Sequence, residues 1–282
     1  MTRRRVLTAM FALLVAGSLA CTTVGRLFTS GIESGAAPST GEAVVTAIAP
    51  TLKPGVEPTT AGPQRLELPP TPTAFHVTDK NDPRSILDLA HPDYVDYFDQ
   101  PEKWYDYDMK GRAAYGVADG RLWGIDYDPE PVNSWWSYTD KQSDLVYAEV
   151  SATNGDCVGK DAVGFVIHSS PTTAAGGYIL EVSCDGSWRA LKHRVKNSPY
   201  EMVGWTSSDA IKTGKDATNR LGIWDHFGSL YFFVNGVMVG QAHDTPHQYP
   251  SGAFALYVKA AQTYNLKAWF DDLAVWELPY SL

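Results

Sequence analysis

The sequence predicts an all-β domain, two antiparallel sheets packed as a sandwich, carried behind an export signal and a disordered linker. Short runs rich in β-branched and aromatic residues recur along 75–282, each closed by a turn signal. Helical signals are few. Nearly every aromatic residue lies in that stretch, and none falls between Phe28 and Phe75.

The elements follow in order. Asp82-Pro83 ahead of "RSILDLA" reads as an N-cap with proline at the first helical position, so one short helix is expected before the sandwich. "AAYGVADGRLWGID" (Ala113 to Asp126) reads as a hairpin. In "DLVYAEVSA", Leu145, Tyr147 and Glu149 alternate with Val146, Ala148 and Val150, the period of a strand. "AVGFVIHS" and "GYILEVSC" form a second hairpin across 170–176, and "SWRALKH" follows the Cys184-Asp185-Gly186 turn. "SSDAI" reads as a further turn of helix. Leu221–Asp225, Leu230–Val234 and Val237–Ala242 make a three-strand meander. Its Asn235-Gly236 turn suits a two-residue hairpin, because both positions accept positive φ. "LKAWFDDLAVWEL" closes the domain.

The first 21 residues read as an export signal: Arg3, Arg4 and Arg5, then an uncharged run from Val6 to Ala20. "TRRRVL" also resembles a twin-arginine motif. Three endings fit: cleavage after Ser18-Leu19-Ala20, lipid modification of Cys21, or an uncleaved span over Val6–Gly25. All three leave the arginines inside and the bulk of the chain outside, anchored to the membrane only through the N-terminus. Residues 22–74, rich in Ala, Gly, Pro and Thr, bury too little apolar surface to order and read as a tether to the 75–282 domain. The net charge of −9 becomes −12 without the three signal arginines. An acidic domain without basic clusters argues against nucleic acid and anionic lipid heads as partners.

Three cysteines are an odd number for an exported chain. With Cys21 assigned to lipid, Cys157 and Cys184 remain, either as a disulfide or as two buried thiols. The hairpin register sets Cys184 opposite about Ala162, near the loop that carries Cys157.

Seven short motifs occur in a fixed order: "FDQPEKW" (Phe98–Trp104), "YGVADGRL" (Tyr115–Leu122), "GYILEVSCDG" (Gly177–Gly186), "WTSSDAIKTG" (Trp205–Gly214), "NRL" (Asn219–Leu221), "VNG" (Val234–Gly236) and "FDDLAV" (Phe270–Val275). Together they resemble the concanavalin A-like jelly-roll domains, in particular the laminin-G-like modules of bacterial surface lipoproteins. The resemblance implies two packed antiparallel sheets with any ligand on a concave face or at the rim loops. It leaves function open, since lectins, glucanases and adhesive modules share the fold.

Laminarinase-type glucanases place three carboxylates on one strand as E-x-D-x-x-E; no such triplet occurs here, Glu149 standing alone and Glu181 pairing poorly with Asp185 across a turn. The chain also resembles 3-keto-disaccharide hydrolases at "GYILEV" but has Val163-Gly164-Phe165 where they carry Asn-Ser-Gly. Asp126, Asp128 and Glu130 alternate and suit an oxygen-ligand calcium site, a solvated acidic loop being the plainer reading; Asp271-Asp272 is similar. His243 and His247 stand four apart, but Pro246 forbids the helix that would pair them. His168-Ser169 has no nucleophile elbow and no third partner. Trp135 and Trp136 are adjacent on a strand and must face opposite ways. An outward Trp136 with Tyr138, near Asn133 and Asp140, would offer a sugar-stacking platform; packing in the core is the alternative. The expectation is an exported, surface-tethered binding module for carbohydrate or an envelope component, with Trp136, Tyr138, Asp126 and Asp128 as ligand residues. A sugar-active enzyme and a structural envelope protein are the alternatives.

Overall fold

The computed structural model describes residues 77, 79–129, 135–172, 175–195 and 197–282. The export signal, Cys21, the tether, Phe75, Glu130 and Asn133 lie outside the described residues. Two antiparallel sheets face each other as a jelly-roll sandwich. The nine-stranded sheet holds β1 (Tyr94–Asp96), β2 (Tyr107–Met109), β3 (Ala113–Ala118), β4 (Arg121–Asp126), β6 (Val146–Asn154), β11 (Thr218–His226), β12 (Ser229–Val234), β13 (Val237–His243) and β15 (Leu266–Glu277). The six-stranded sheet holds β5 (Trp135–Ser143), β7 (Ala162–Ser169), β8 (Tyr178–Ser183), β9 (Ser187–Arg194), β10 (Asn197–Ser207) and β14 (Gly252–Lys259).

The core lies between the sheets. Alternation sends Val146, Ala148, Val150 and Ala152 of β6 inward, while Glu149, Ser151 and Thr153 stay part-exposed on the other face. Trp188 of β9 meets Phe232 of β12 across the gap with ring centres 5.8 Å apart, and Gly240 leaves room for its indole. Each fully buried large apolar side chain contributes about 1.5–3 kcal/mol.

The expected hairpins form. β3 pairs with β4, and β11–β12–β13 make the meander, turning on Asn235 (φ 50°) and Gly236 (φ 82°). β7 pairs Ala162 with Ser183, one residue from the expected register, and Cys184 N–H donates to Asp161 O (2.8 Å). Cys157 and Cys184 form the disulfide, their Cα atoms 5.9 Å apart.

The short helix expected ahead of the sandwich forms, and the second helical expectation is corrected. Pro83–Ile86 is a single 3-10 turn, capped by Asp82 accepting Arg84 N–H (2.9 Å). At 208–211 there is a turn and no helix. Asn235 Nδ2 donates to Ala210 O (2.8 Å) and Asn219 Oδ1 accepts Lys212 N–H (2.9 Å), so side-chain amides take the groups that a second helical turn would use.

Candidate functional site: a cavity behind the nine-stranded sheet

The outer face of the nine-stranded sheet carries a second apolar cluster. Alternation places Tyr147, Trp224, Phe233 and Trp276 on the side away from the core. Such a patch of rings would be costly in water, and residues 82–97 fold back over it. β1 pairs with β15, Trp276 Nε1 donates to Asp88 O (3.0 Å), and Glu277 N–H donates to the Asp93 carboxylate (2.8 Å). Arg84 enters the cluster with its guanidinium carbon 3.8 Å from the Phe233 ring centre. It donates to Asp82, to the Tyr147 hydroxyl and to Gly236 O. Burial works against its charge, yet the Asp82 and Tyr147 contacts hold its pKa above the usual guanidinium range.

Between this cover and the sheet lies a cavity of about 330 Å³. Its lining joins apolar Pro92, Val95 and Trp276 to polar Glu149, Arg220 and Asp272. Arg220, buried on β11, donates Nε to Glu149 Oε2 (3.0 Å) and Nη1 to Ser151 Oγ (3.2 Å) and Asp272 O. The other Glu149 oxygen accepts the Tyr147 hydroxyl. Asp82, Arg84, Tyr147, Glu149 and Arg220 therefore form one continuous chain of alternating donors and acceptors. Arg220 Nη2 and the Asp272 carboxylate make no hydrogen bond among the described residues, and both residues line the cavity that Trp276 also lines.

Asp272 is placed by a β-bulge. The edge of β15 pairs with β4 up to Phe270 and with β1 from Leu273, and at the switch Asp272 takes φ 51°. That twist turns its carbonyl to Arg220. The neighbouring Asp271 is buried, has one unpartnered oxygen (Oδ2), and its pKa is pushed up to about 6 by burial and then by the charge of Asp272. Three of the motifs that carry the family resemblance meet here: Asn219 bonds Asn235 (2.8 Å), Asn235 Oδ1 accepts Arg220 N–H (2.8 Å), and Asp271-Asp272 supplies the bulge. Spacing alone could not show this, because Arg84, Glu149, Arg220 and Asp272 come from four separate elements. The motifs "NRL", "VNG" and "FDD" were the available signal.

The ligand residues expected from sequence lie elsewhere. Trp136 and Tyr138 both project from the outer face of the six-stranded sheet, and Trp135 points inward, as adjacency requires. Trp136 is buried there against the His193 ring (centres 4.7 Å apart) and Tyr257. Burial lowers the His193 pKa. Tyr138 stacks on exposed Tyr105 at 5.0 Å. The same face continues through Tyr257, whose hydroxyl donates to Glu181 (2.7 Å), to Arg189, which also pairs with Glu181, and on to Trp205, 4.5 Å from the Arg189 guanidinium. A Cβ at Gly164 would strike the Tyr257 ring, so glycine there lets the ring cross the sheet to Glu181. Asp126 is buried at the end of β4, where its carboxylate accepts Ala260 N–H (2.8 Å); burial, partly countered by that bond, raises its pKa to about 6. Asp128 is half-buried.

No protein-family model matches the chain, and no curated protein matches it significantly in sequence. Solved structures with a similar fold include the CBM66 carbohydrate-binding module from Bacillus subtilis (13% identity, TM-score 0.49, 62% of this chain and 96% of that one). A galectin-like-fold protein of unknown function from Bacillus subtilis is similar at 11% identity and TM-score 0.49, covering 66% of this chain and 96% of that one. The catalytic domain of a laminarinase from Thermotoga petrophila is similar at 12% identity and TM-score 0.44, covering 66% and 97%. Carbohydrate-binding modules and glucanases thus both occur among the structural neighbours.

Proposed function

We propose that the protein is an exported, N-terminally anchored binding module that takes a carbohydrate in the cavity behind the nine-stranded sheet. The observation that carries this is that Arg220 and Asp272, whose Nη2 and carboxylate have no hydrogen-bond partner among the described residues, line one cavity with Trp276. A sugar hydroxyl is at once donor and acceptor, so adjacent hydroxyls fit a carboxylate beside a guanidinium while the pyranose face lies on an apolar wall. The volume is at the lower end of the usual range for small-ligand pockets, about 300–1,000 Å³. The signal-like N-terminus and Cys21 support the exported, anchored placement. Mass spectrometry of the processed chain is expected to find lipid on Cys21; an unmodified chain starting there would remove the lipid anchor.

A second reading, hydrolysis on the opposite face, is favoured by one feature: Glu181 and Glu201 both approach Arg189. Binding of the full chain to a polysaccharide and glycan panel, with product analysis on each hit, separates the readings. Binding without turnover that is lost in Arg220→Gln and Asp272→Ala supports the cavity. Loss only in Trp136→Ala moves the site to the six-stranded sheet. Turnover abolished by Glu181→Gln establishes the enzyme, and no binding at all favours a structural envelope role.

A further inference from the structure

His168 near the end of β7, Asp225 near the end of β11 and His247 in the β13–β14 connection come from three distant parts of the sequence and meet at one end of the sandwich. One potential ligand atom from each lies within 4.8 Å of the other two. Asp225 Oδ2 stands 2.8 Å from His247 Nε2 and 3.2 Å from His168 Nδ1. We propose that these three residues bind a divalent transition-metal ion of the zinc type, stapling the two sheets together.

Charge favours an ion at this place. Asp225 is fully buried, and its neighbours are Gly228 N–H (2.8 Å) and two imidazoles, with no lysine or arginine paired to it among the described residues. A carboxylate removed from water needs a compensating cation or shared protons. Two imidazoles and one carboxylate are a common donor set for zinc, which binds histidine nitrogen at about 2.0–2.1 Å and carboxylate oxygen at about 2.0–2.2 Å. Tetrahedral ligands at those lengths sit roughly 3.3 Å apart, so the Asp225–His247 contact would open by about half an ångström, and ligand atoms as much as 4.8 Å apart would have to close.

The histidine tautomer also favours an ion. His168 Nδ1 lies 2.8 Å from Tyr249 O, and its buried Nε2 has no partner. Tyr249 O can only accept, so it holds the ring proton at Nδ1 and leaves the lone pair at Nε2, buried and without a partner among the described residues, free to take an ion.

The loop does not need the cluster to stay in place. Asp244 accepts from Tyr178 (2.7 Å), Lys192 (2.6 Å) and Gln248 N–H (3.0 Å), and its carbonyl accepts His247 N–H (2.7 Å). His168 and His247 nevertheless both hold left-handed backbone, at φ 61° and 58°, a conformation that gathers at ligand clamps. A Cβ at Gly228 would press on His247 and on Asp244 O, so glycine there permits the close approach. Three protein ligands leave one position open, and His247, the least buried of the three, sets that position toward solvent.

The test is equilibrium dialysis of the chelator-stripped full chain against zinc, with bound metal read by elemental analysis and site geometry by the visible spectrum of the cobalt(II) form. One equivalent of zinc and a four-coordinate cobalt spectrum are expected. His247→Ala, on a loop that Asp244 holds, should keep its far-ultraviolet circular dichroism and weaken zinc binding by about a hundredfold or more, beyond what loss of an outer-shell partner costs. Asp225→Asn should do the same, and His243→Ala should bind like the unaltered chain. No stoichiometric zinc in the unaltered protein, or full retention in folded His247→Ala, overturns the proposal. Glycan binding by the cavity is read separately and does not depend on this outcome.

Discussion

The two outer faces of the sandwich solve the same problem differently. On the six-stranded sheet, Trp136, Tyr257, Glu181, Arg189 and Trp205 lie across one another, and every residue of β7 and β8 is buried. Side chains of that sheet close their own face. The nine-stranded sheet cannot do so, because Tyr147, Trp224, Phe233 and Trp276 form a large apolar surface, and residues 82–97 cover it. A cover made of separate chain meets its sheet less closely than neighbouring strands meet each other. The difference shows why the cavity lined by Arg220 and Asp272 lies on that side.

The sharpest way to break this comparison is Arg220→Met. It removes the cation from part-exposed Glu149, and losing one partner of a fully buried pair costs about 3–5 kcal/mol, the upper bound here. Urea denaturation should show that loss, and a cost below 1 kcal/mol would mean that the network is not coupled to the fold. Reduction of Cys157–Cys184 comes next, at about 2–4 kcal/mol, read as a lower Tm. The bond joins neither outer face, so glycan binding below the new Tm should be unchanged; lost binding would tie the rim to the site. Glu181→Gln should cost about 1–3 kcal/mol, since Tyr257 and Arg189 lose a charged partner in a buried place. Glycan affinity that falls with it would show the faces to be a single functional unit.

The smallest effect concerns pH. The Asp271 carboxyl titrates near 6 in the folded chain, against 3.8 for an ordinary aspartate. The folded state therefore holds the proton more tightly, so its stabilising contribution is complete below about pH 4 and is lost as pH rises through 6. Asp271→Asn should be roughly 1–2 kcal/mol more stable than the parent at pH 7.5 and equal to it at pH 4. Parallel stability curves for the two proteins across that interval would exclude a buried, protonated Asp271.

Much of the fold was legible in the chain because strand signals are local. Alternation in "DLVYAEVSA" and the Asn235-Gly236 turn depend on residues a few positions apart, and both appear as read. The helix at "SSDAI" failed for a tertiary reason: Asn219 and Asn235, close in space but not in sequence, claim its backbone groups. Adjacency showed that Trp135 and Trp136 face opposite ways, but which of them faces outward is set by the sheet register, and the burial of Trp136 depends on His193, which comes from β9.

By itself, then, the sequence determined an all-β sandwich and its hairpins, since period and turn chemistry are properties of short segments, and it left the Cys157–Cys184 disulfide as one of two readings that the structure decided. Only the tertiary structure decided where ligands could be held. Arg84, Glu149, Arg220 and Asp272 meet because a covering segment and a bulge bring four elements together, and His168, Asp225 and His247 meet because two sheets pack face to face. Sites of this kind depend on register and packing between remote segments, and those are settled only when the whole core closes.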